Sequence, residues 1–380
     1  MRILITEIGN NNSGDESICL SVAKRFISLG SEVTFCYRVS LEESTKRAGL
    51  NVKHVYMPIE NSFDNISNSK QLIKAFAQEI PELYDKLKKL LLDHDVVGIA
   101  PGGKFTDGYK NARTLLTAAM AQSMDLPVIL FHQSVGPIEN PNHLKLLVEV
   151  FNKSTLLLIR DDQSYDFLIK LSIPSDKIIR CRDLAMGEYY PVPTDIDYDL
   201  GINIRCGGNG HVDLDALKQL INDYHSCYPE DSILIYSTTY NLPQNVIERI
   251  SSLPINIKTD MTLYPNYLKE VGSCAINVAD SFHGCIFSIM ADRPVICCQT
   301  DHKTWKLKGL PAPEQEPLEV LPGLVSKQEA KKLLDKVISV RNNPEPLSRY
   351  QRRIASYGRE LCEKGWTAAE KTLKRIEQEL

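Results

Sequence analysis

The chain holds 380 residues, 43% of them hydrophobic, enough for two ordinary cores because single cores stop growing at about 250–300 residues. Its 44 basic and 48 acidic residues leave a formal charge of -4, which excludes a global basic field of the kind that gathers nucleic acid. The 10 cysteines stand singly apart from Cys297-Cys298, without the C-x-x-C pairing of a zinc site or the density of a disulfide scaffold. No apolar run approaches the roughly 20 residues of a membrane span, so the sequence predicts a cytoplasmic protein that is neither exported nor membrane-spanning.

Ile3 to Thr6 reads as a strand, followed by a Gly/Asn-rich loop and an amphipathic helix from Glu16 to Leu29, with Ile18, Val22, Phe26 and Leu29 at helical spacing. Strands follow at Val33–Tyr37 and Val52–Tyr56, then a helical pattern from Lys70 to Leu92 that is broken near Pro81. Asp95–Ala100, Pro127–Phe131 and Thr155–Ile159 are short apolar runs of buried-strand type, each separated from the next by room for a crossover helix. Such alternation predicts a parallel, doubly wound sheet. Between Asp183 and Leu200 the glycine, prolines and acids suit an extended linker. Beyond it Leu200–Arg205, Ser232–Tyr236, Ile255–Lys258, Ala275–Val278 and Pro294–Cys298 read as strands, with helices such as Asp213–Tyr224 and Leu263–Val271 between them. The predicted organisation is an N-terminal Rossmann-like domain over 1–185, a linker over 186–199, a C-terminal Rossmann-like domain over 200–345 and one or two closing helices over 346–380. The fold class is α/β: two facing Rossmann-like domains of GT-B type, with the active site expected in the interdomain cleft.

Ligands of open α/β sheets bind beyond the carboxyl ends of the strands, which directs attention to five segments and one arginine. Gly9–Glu16 links the first strand to the first helix; Asn11, Ser13, Gly14 and Asp15 there suit either ligand binding or a capped turn. Gly102-Gly103 follows a buried strand and allows close backbone approach, with Lys104 beside it, although a plain turn uses glycines equally well. His132, Gln133 and Ser134 form a polar trio at a strand end, and Arg160-Asp161-Asp162 follows the next strand, where an aspartate also suits a helix cap. The sharpest segment is Asp280-Ser281-Phe282-His283-Gly284, at a strand-to-helix join that places an imidazole beside a helix N-terminus. Arg205 ends a strand beside a glycine-rich loop, as suits a grip on carboxylate or phosphate, or a plain ion pair.

In this order the segments resemble the polysaccharide pyruvyl transferase family from Met1 to about Leu310. The resemblance rests on the Gly-Asn-rich loop Gly9–Glu16, the pair Gly102-Gly103, Gln133–Pro137, Arg160–Ser164, the arginine-ended strand at Arg205 and the histidine motif that opens a helix. Many members carry Arg-x-His there, whereas this chain has Ser281-Phe282-His283-Gly284 and resembles a Ser-Phe-His-Gly branch; Lys303, Lys306 and Lys308 are candidates for the missing cation. The resemblance implies a transferase that moves a pyruvyl group from phosphoenolpyruvate to a sugar of a surface polysaccharide or its precursor. It implies donor contacts at Arg205, Ser281, Phe282, Gly284 and Lys303, His283 as general acid and Asp15 as base. Asn11, Ser13, Gly14, Gly102, Gly103, Gln133, Ser134 and Arg160 then face the acceptor, a sugar or lipid-linked saccharide. No metal, cofactor or nucleic acid enters this scheme, and a lipid-linked precursor fits peripheral membrane association. Two rivals keep the fold: a nucleotide-sugar glycosyltransferase and a non-catalytic sugar-binding or scaffold protein.

Overall fold

In the computed structural model the described residues are 1–8, 12–63, 65–107, 111–188, 195–205, 212–238, 241–259, 266–299 and 304–380. They fall into two compact units: Met1–Asn10, Ile18–Leu184 and Glu360–Leu380 form one, and Asn11–Ser17 with Ala185–Arg359 form the other. Residues 11–17, expected in the N-terminal domain, thus belong to the second unit, and the closing segment is shared between the two.

In the first unit the strands are β1 (Arg2–Ile8), β2 (Glu32–Tyr37), β3 (Val52–Tyr56), β4 (Val96–Ile99), β5 (Gly102–Phe105), β6 (Val128–Val135), β7 (Leu156–Ile159) and β8 (Ile178–Arg180). Between them run α1 (Ser13–Ser28, of which the residues to Ser17 belong to the second unit), α2 (Glu42–Arg47), α3 (Ser69–Glu79), α4 (Pro81–Leu92), α5 (Asn111–Ser123), α6 (Pro141–Lys153) and α7 (Asp162–Lys170). The sheet is parallel throughout, in the order β3-β2-β1-β4-β6-β7-β8, with β5 added against β6. β4 and β7 are buried along their whole length, which is why they read as unbroken apolar runs. Pro81 separates α3 from α4 by standing at the first position of α4, where a missing N–H costs nothing. The pair Gly102-Gly103, for which the sequence leaves open both a close approach to a ligand and a plain turn, is part of β5, with Gly102 at φ +149.

In the second unit β9 (Tyr198–Asn203), β10 (Ile233–Tyr236), β11 (Asn256–Ile257), β12 (Cys274–Ala279), β13 (Val295–Gln299) and β14 (Val320–Pro322) form a parallel sheet in the order β11-β10-β9-β12-β13-β14. Its helices are α8 (Leu214–Cys227), α9 (Gln244–Ile250), α10 (Tyr267–Gly272), α11 (Phe282–Met290), α12 (Thr304–Lys308) and α13 (Lys327–Asn342), and a single long α14 (Glu345–Glu379) ends the chain. Both sheets carry the 3-2-1-4 order of a Rossmann fold, which reverses direction between β1 and β4 in the first and between β9 and β12 in the second. Those two switch points are where such folds take ligands. Among the described residues no helix is long and apolar enough to cross a membrane.

Candidate functional site

At the switch point of the second sheet, Ala279 of β12 pairs with Asn203 of β9, so whatever follows either strand emerges at one edge. Arg205 stands two residues beyond β9 and is half-buried. Beyond β12 the chain turns at Asp280 and Ser281 into α11, whose second residue is His283. Ser281 is the N-cap: its backbone is extended (φ -148, ψ 146) and its Oγ accepts the Gly284 N–H at 3.0 Å. The helix thus begins at Phe282.

Ser281 does more than cap. Its hydroxyl lies 3.0 Å from Asn203 Oδ1 and 3.2 Å from Thr238 Oγ1, while Asn203 Nδ2 lies 3.3 Å from Thr238 Oγ1. One assignment of protons satisfies all three contacts: Asn203 donates to Thr238, Thr238 to Ser281, and Ser281 back to the Asn203 carbonyl. The ring is buried, with Asn203, Thr238 and Ser281 exposed by 1%, 2% and 8%. A Cβ at Gly284 would lie 2.6 Å from Ser281 Oγ and 2.8 Å from Asn203 Oδ1, so only glycine leaves room for it. Ser281, predicted to touch the donor, is thereby committed to the framework that aims α11.

The segment 12–17 closes on the same place. The Ser13 N–H donates to the Thr238 carbonyl at 3.0 Å, and a Cβ on Gly14 would fall 2.0 Å from His283 Nδ1. Gly14 therefore lets the backbone lie against the imidazole. That ring also stacks on Phe287 at 5.8 Å and 26°, and Phe282 meets it edge-on at 5.2 Å. Asn12 and Asp15 form a reciprocal cap at the start of α1: Asn12 Oδ1 accepts the Asp15 N–H at 2.8 Å and Asn12 Nδ2 donates to Asp15 Oδ2 at 2.9 Å. The cap is thus Asn12, not Ser13 or Asp15, and one oxygen of the Asp15 carboxylate is already engaged.

Gly14, His283, Ser281, Phe282, Gly284, Ser13 and Asp15 are brought together in the second unit, with Arg205 at the neighbouring strand end. Asn11 and Lys303 lie outside the described residues. Lys306, on α12, sits 5.4 Å from the Trp305 ring centre. The expected acceptor residues of the first unit have inward partners. Gln133 is fully buried and donates to the Ala100 and Phe131 carbonyls at 2.6 and 3.0 Å. Ser134 donates to Asp161 at 2.7 Å and accepts from Arg160 Nε at 2.8 Å, and Arg160 also pairs with the buried Asp183. Asp161 caps α7. These polar groups, expected to face a ligand, satisfy one another inside the unit. Asn203 and Thr238 were missed; their only signal is a polar residue at the end of an apolar strand.

Among the described residues no group of three His, Cys, Asp or Glu side chains could hold a metal ion. The sequence profile described as polysaccharide pyruvyl transferase matches residues 12–302. No curated protein matches the sequence significantly. Solved structures do: a UDP-GlcNAc 2-epimerase from Neisseria meningitidis bound to UDP-GlcNAc is similar with a TM-score of 0.65 and 16% identity, over 99% of this chain and 100% of its own. The Anabaena protein Alr3699/HepE in complex with UDP and glucose is similar with a TM-score of 0.61 and 11% identity, over 100% of both chains. MnaA of S. aureus with UDP gives 0.63 and 10%, over 94% of this chain and 92% of that one. At such identities the likeness carries the fold alone.

Proposed function

Because the chain belongs to the polysaccharide pyruvyl transferase family, we propose that its second unit binds phosphoenolpyruvate and that His283 starts transfer of the pyruvyl group to a sugar. The observation that carries this reading is the pairing of β9 with β12, which puts a cation and an imidazole at adjacent strand ends of the switch point. Arg205 suits a bidentate grip on the donor's carboxylate or phosphate. His283 protonates the methylene carbon, C2 becomes electrophilic, and a sugar hydroxyl adds there with loss of its proton. The C2–O bond to phosphate then breaks, phosphate leaves, and a second hydroxyl closes a cyclic ketal with loss of its own proton. Asp15 remains the candidate base, with Asn12 fixing its carboxylate. The acceptor is a sugar or lipid-linked saccharide of a surface polymer, used from the cytoplasm.

A thermal-shift titration tests the donor. Phosphoenolpyruvate at 100 times its dissociation constant stabilises by about 2.7 kcal/mol, and the shift disappears in Arg205→Ala. In His283→Gln the shift persists while turnover is lost. Stabilisation by a UDP-sugar with none by phosphoenolpyruvate would establish the nucleotide-sugar transferase instead.

A further inference from the structure

Strands β10, β9 and β12 end level with one another, because Tyr236 pairs with Asn203 and Asn203 with Ala279. Thr238 and Ser281 each stand two residues beyond that row, past the strands that flank β9. From there Thr238 reaches both segments that meet at the His283 ring. Its Oγ1 lies 3.2 Å from Ser281 Oγ, and Ser281 caps the helix that carries the imidazole. Its backbone carbonyl accepts the Ser13 N–H at 3.0 Å, and the next residue, Gly14, is the one whose backbone lies against that imidazole. All of these residues belong to the second unit.

The Thr238 hydroxyl accepts from Asn203 Nδ2 at 3.3 Å and gives its proton to Ser281, whose own proton goes to Asn203 Oδ1 at 3.0 Å. With Thr238 2% exposed and Ser281 8%, neither hydroxyl has a proton left to offer a substrate. What the pair can do is fix a position. Transfer of a proton from an imidazole to a carbon needs the two atoms within reach of each other, and geometry decides it before pKa does. Since helix and loop are tied to one residue, a shift of Thr238 moves the helix that carries the imidazole and the backbone packed against it together. We propose that Thr238 is a positioning residue for the proton transfer, setting where the His283 imidazole stands through Ser281 on the helix and Ser13 in the loop, a role that rests on His283 being the acid of the reaction above.

Thr238→Val keeps the branched side chain and deletes the hydroxyl, whereas Thr238→Ser keeps the hydroxyl. Phosphate release from phosphoenolpyruvate is followed with methyl glucoside, methyl galactoside and methyl mannoside as acceptors. The assay is run well below the melting temperature, because Thr238→Val also leaves Asn203 Nδ2 without its acceptor and loosens the unit. Expected for Thr238→Val is a fall in kcat of about tenfold or more, since a group misplaced by about 1 Å can lose about 100-fold. KM for phosphoenolpyruvate stays within about twofold of wild type, as for a residue that acts only in the transition state, and Thr238→Ser recovers most of kcat. In the free protein the imidazole resonances of His283, identified by their absence from His283→Gln, move in Thr238→Val and return in Thr238→Ser. Wild-type kcat in Thr238→Val, a loss carried by KM, a Thr238→Ser as impaired as Thr238→Val, or His283 resonances that stay in place would each overturn the role. Where Thr238→Val does not fold, Thr238→Cys, a weaker donor, takes its place with the same expectations. If the wild type releases no phosphate from phosphoenolpyruvate, it is the pyruvyl-transfer reading that fails, and the ring resonances, which need neither donor nor acceptor, still decide whether Thr238 seats the imidazole.

Discussion

Gly14 and His283 show how closely single residues are set. Since a Cβ at position 14 would overlap the imidazole at 2.0 Å, Gly14→Ala must displace either the ring or the loop. A catalytic group misplaced by 1 Å can lose about 100-fold in rate. Turnover, followed as phosphate release, is therefore expected to fall at least about tenfold with the fold intact by circular dichroism; full activity would show that the ring's seat is immaterial. His132 poses a different residue-scale problem. It is fully buried on β6 at φ 41, with no hydrogen-bond partner for either ring nitrogen among the described residues, and burial pushes its pKa down to about 3. Between that value and the ordinary 6.5 of an unfolded histidine, only the unfolded chain takes up the proton, so stability falls as pH falls, by up to about 1.4 kcal/mol per unit. His132→Gln should flatten the decline in melting temperature from pH 6.5 to pH 4; an unchanged slope would show that other groups cause it.

At the scale of elements, the sequence showed the alternation of strands and helices because buried parallel strands such as Val96–Ile99 are written as apolar runs. It also placed the histidine motif at a strand-to-helix join, where the structure has it. It did not separate ligand-facing polar residues from those that bond inward. Asn203, Thr238 and Ser281 come from three different strand ends, and Arg160 meets Asp183 across the first unit, so only packing reveals these partners. Short elements such as β8, β14 and α12 were also missed, since three to five residues carry too little periodicity. The last helix is legible by its period, whereas its target is not. In the first unit Trp366 packs against Phe26 at 5.9 Å and 87° and against His132 at 5.6 Å, and Arg25 binds Glu363 and Glu370 beside it. Trp366 is 6% exposed, so Trp366→Ala should cost about 3–5 kcal/mol in urea unfolding. A cost under 1 kcal/mol would mean that this end of α14 is not a packed part of the unit.

At the scale of the molecule, the change of composition near residues 186–199 is a natural place to cut the chain, yet the compact units are not the two sides of that cut. Residues 1–185 alone lack Glu360–Leu380, whose Trp366 covers Phe26 and Phe131. That fragment should bind a hydrophobic dye and aggregate, and a fusion carrying 360–380 should suppress both; a soluble, cooperatively melting 1–185 would refute this. The backbone passes from one unit to the other at 10/11, 17/18, 184/185 and 359/360. In hereditary terms this makes the two halves poor cassettes. A recombination event that swapped only residues 185–359 for a relative's would bring a new switch point, yet leave this chain's own Gly14 against a foreign histidine, because residues 11–17 of the same unit stand far upstream in the sequence. New donor or acceptor preferences are therefore more readily reached by local substitutions at one switch point than by exchanging a domain.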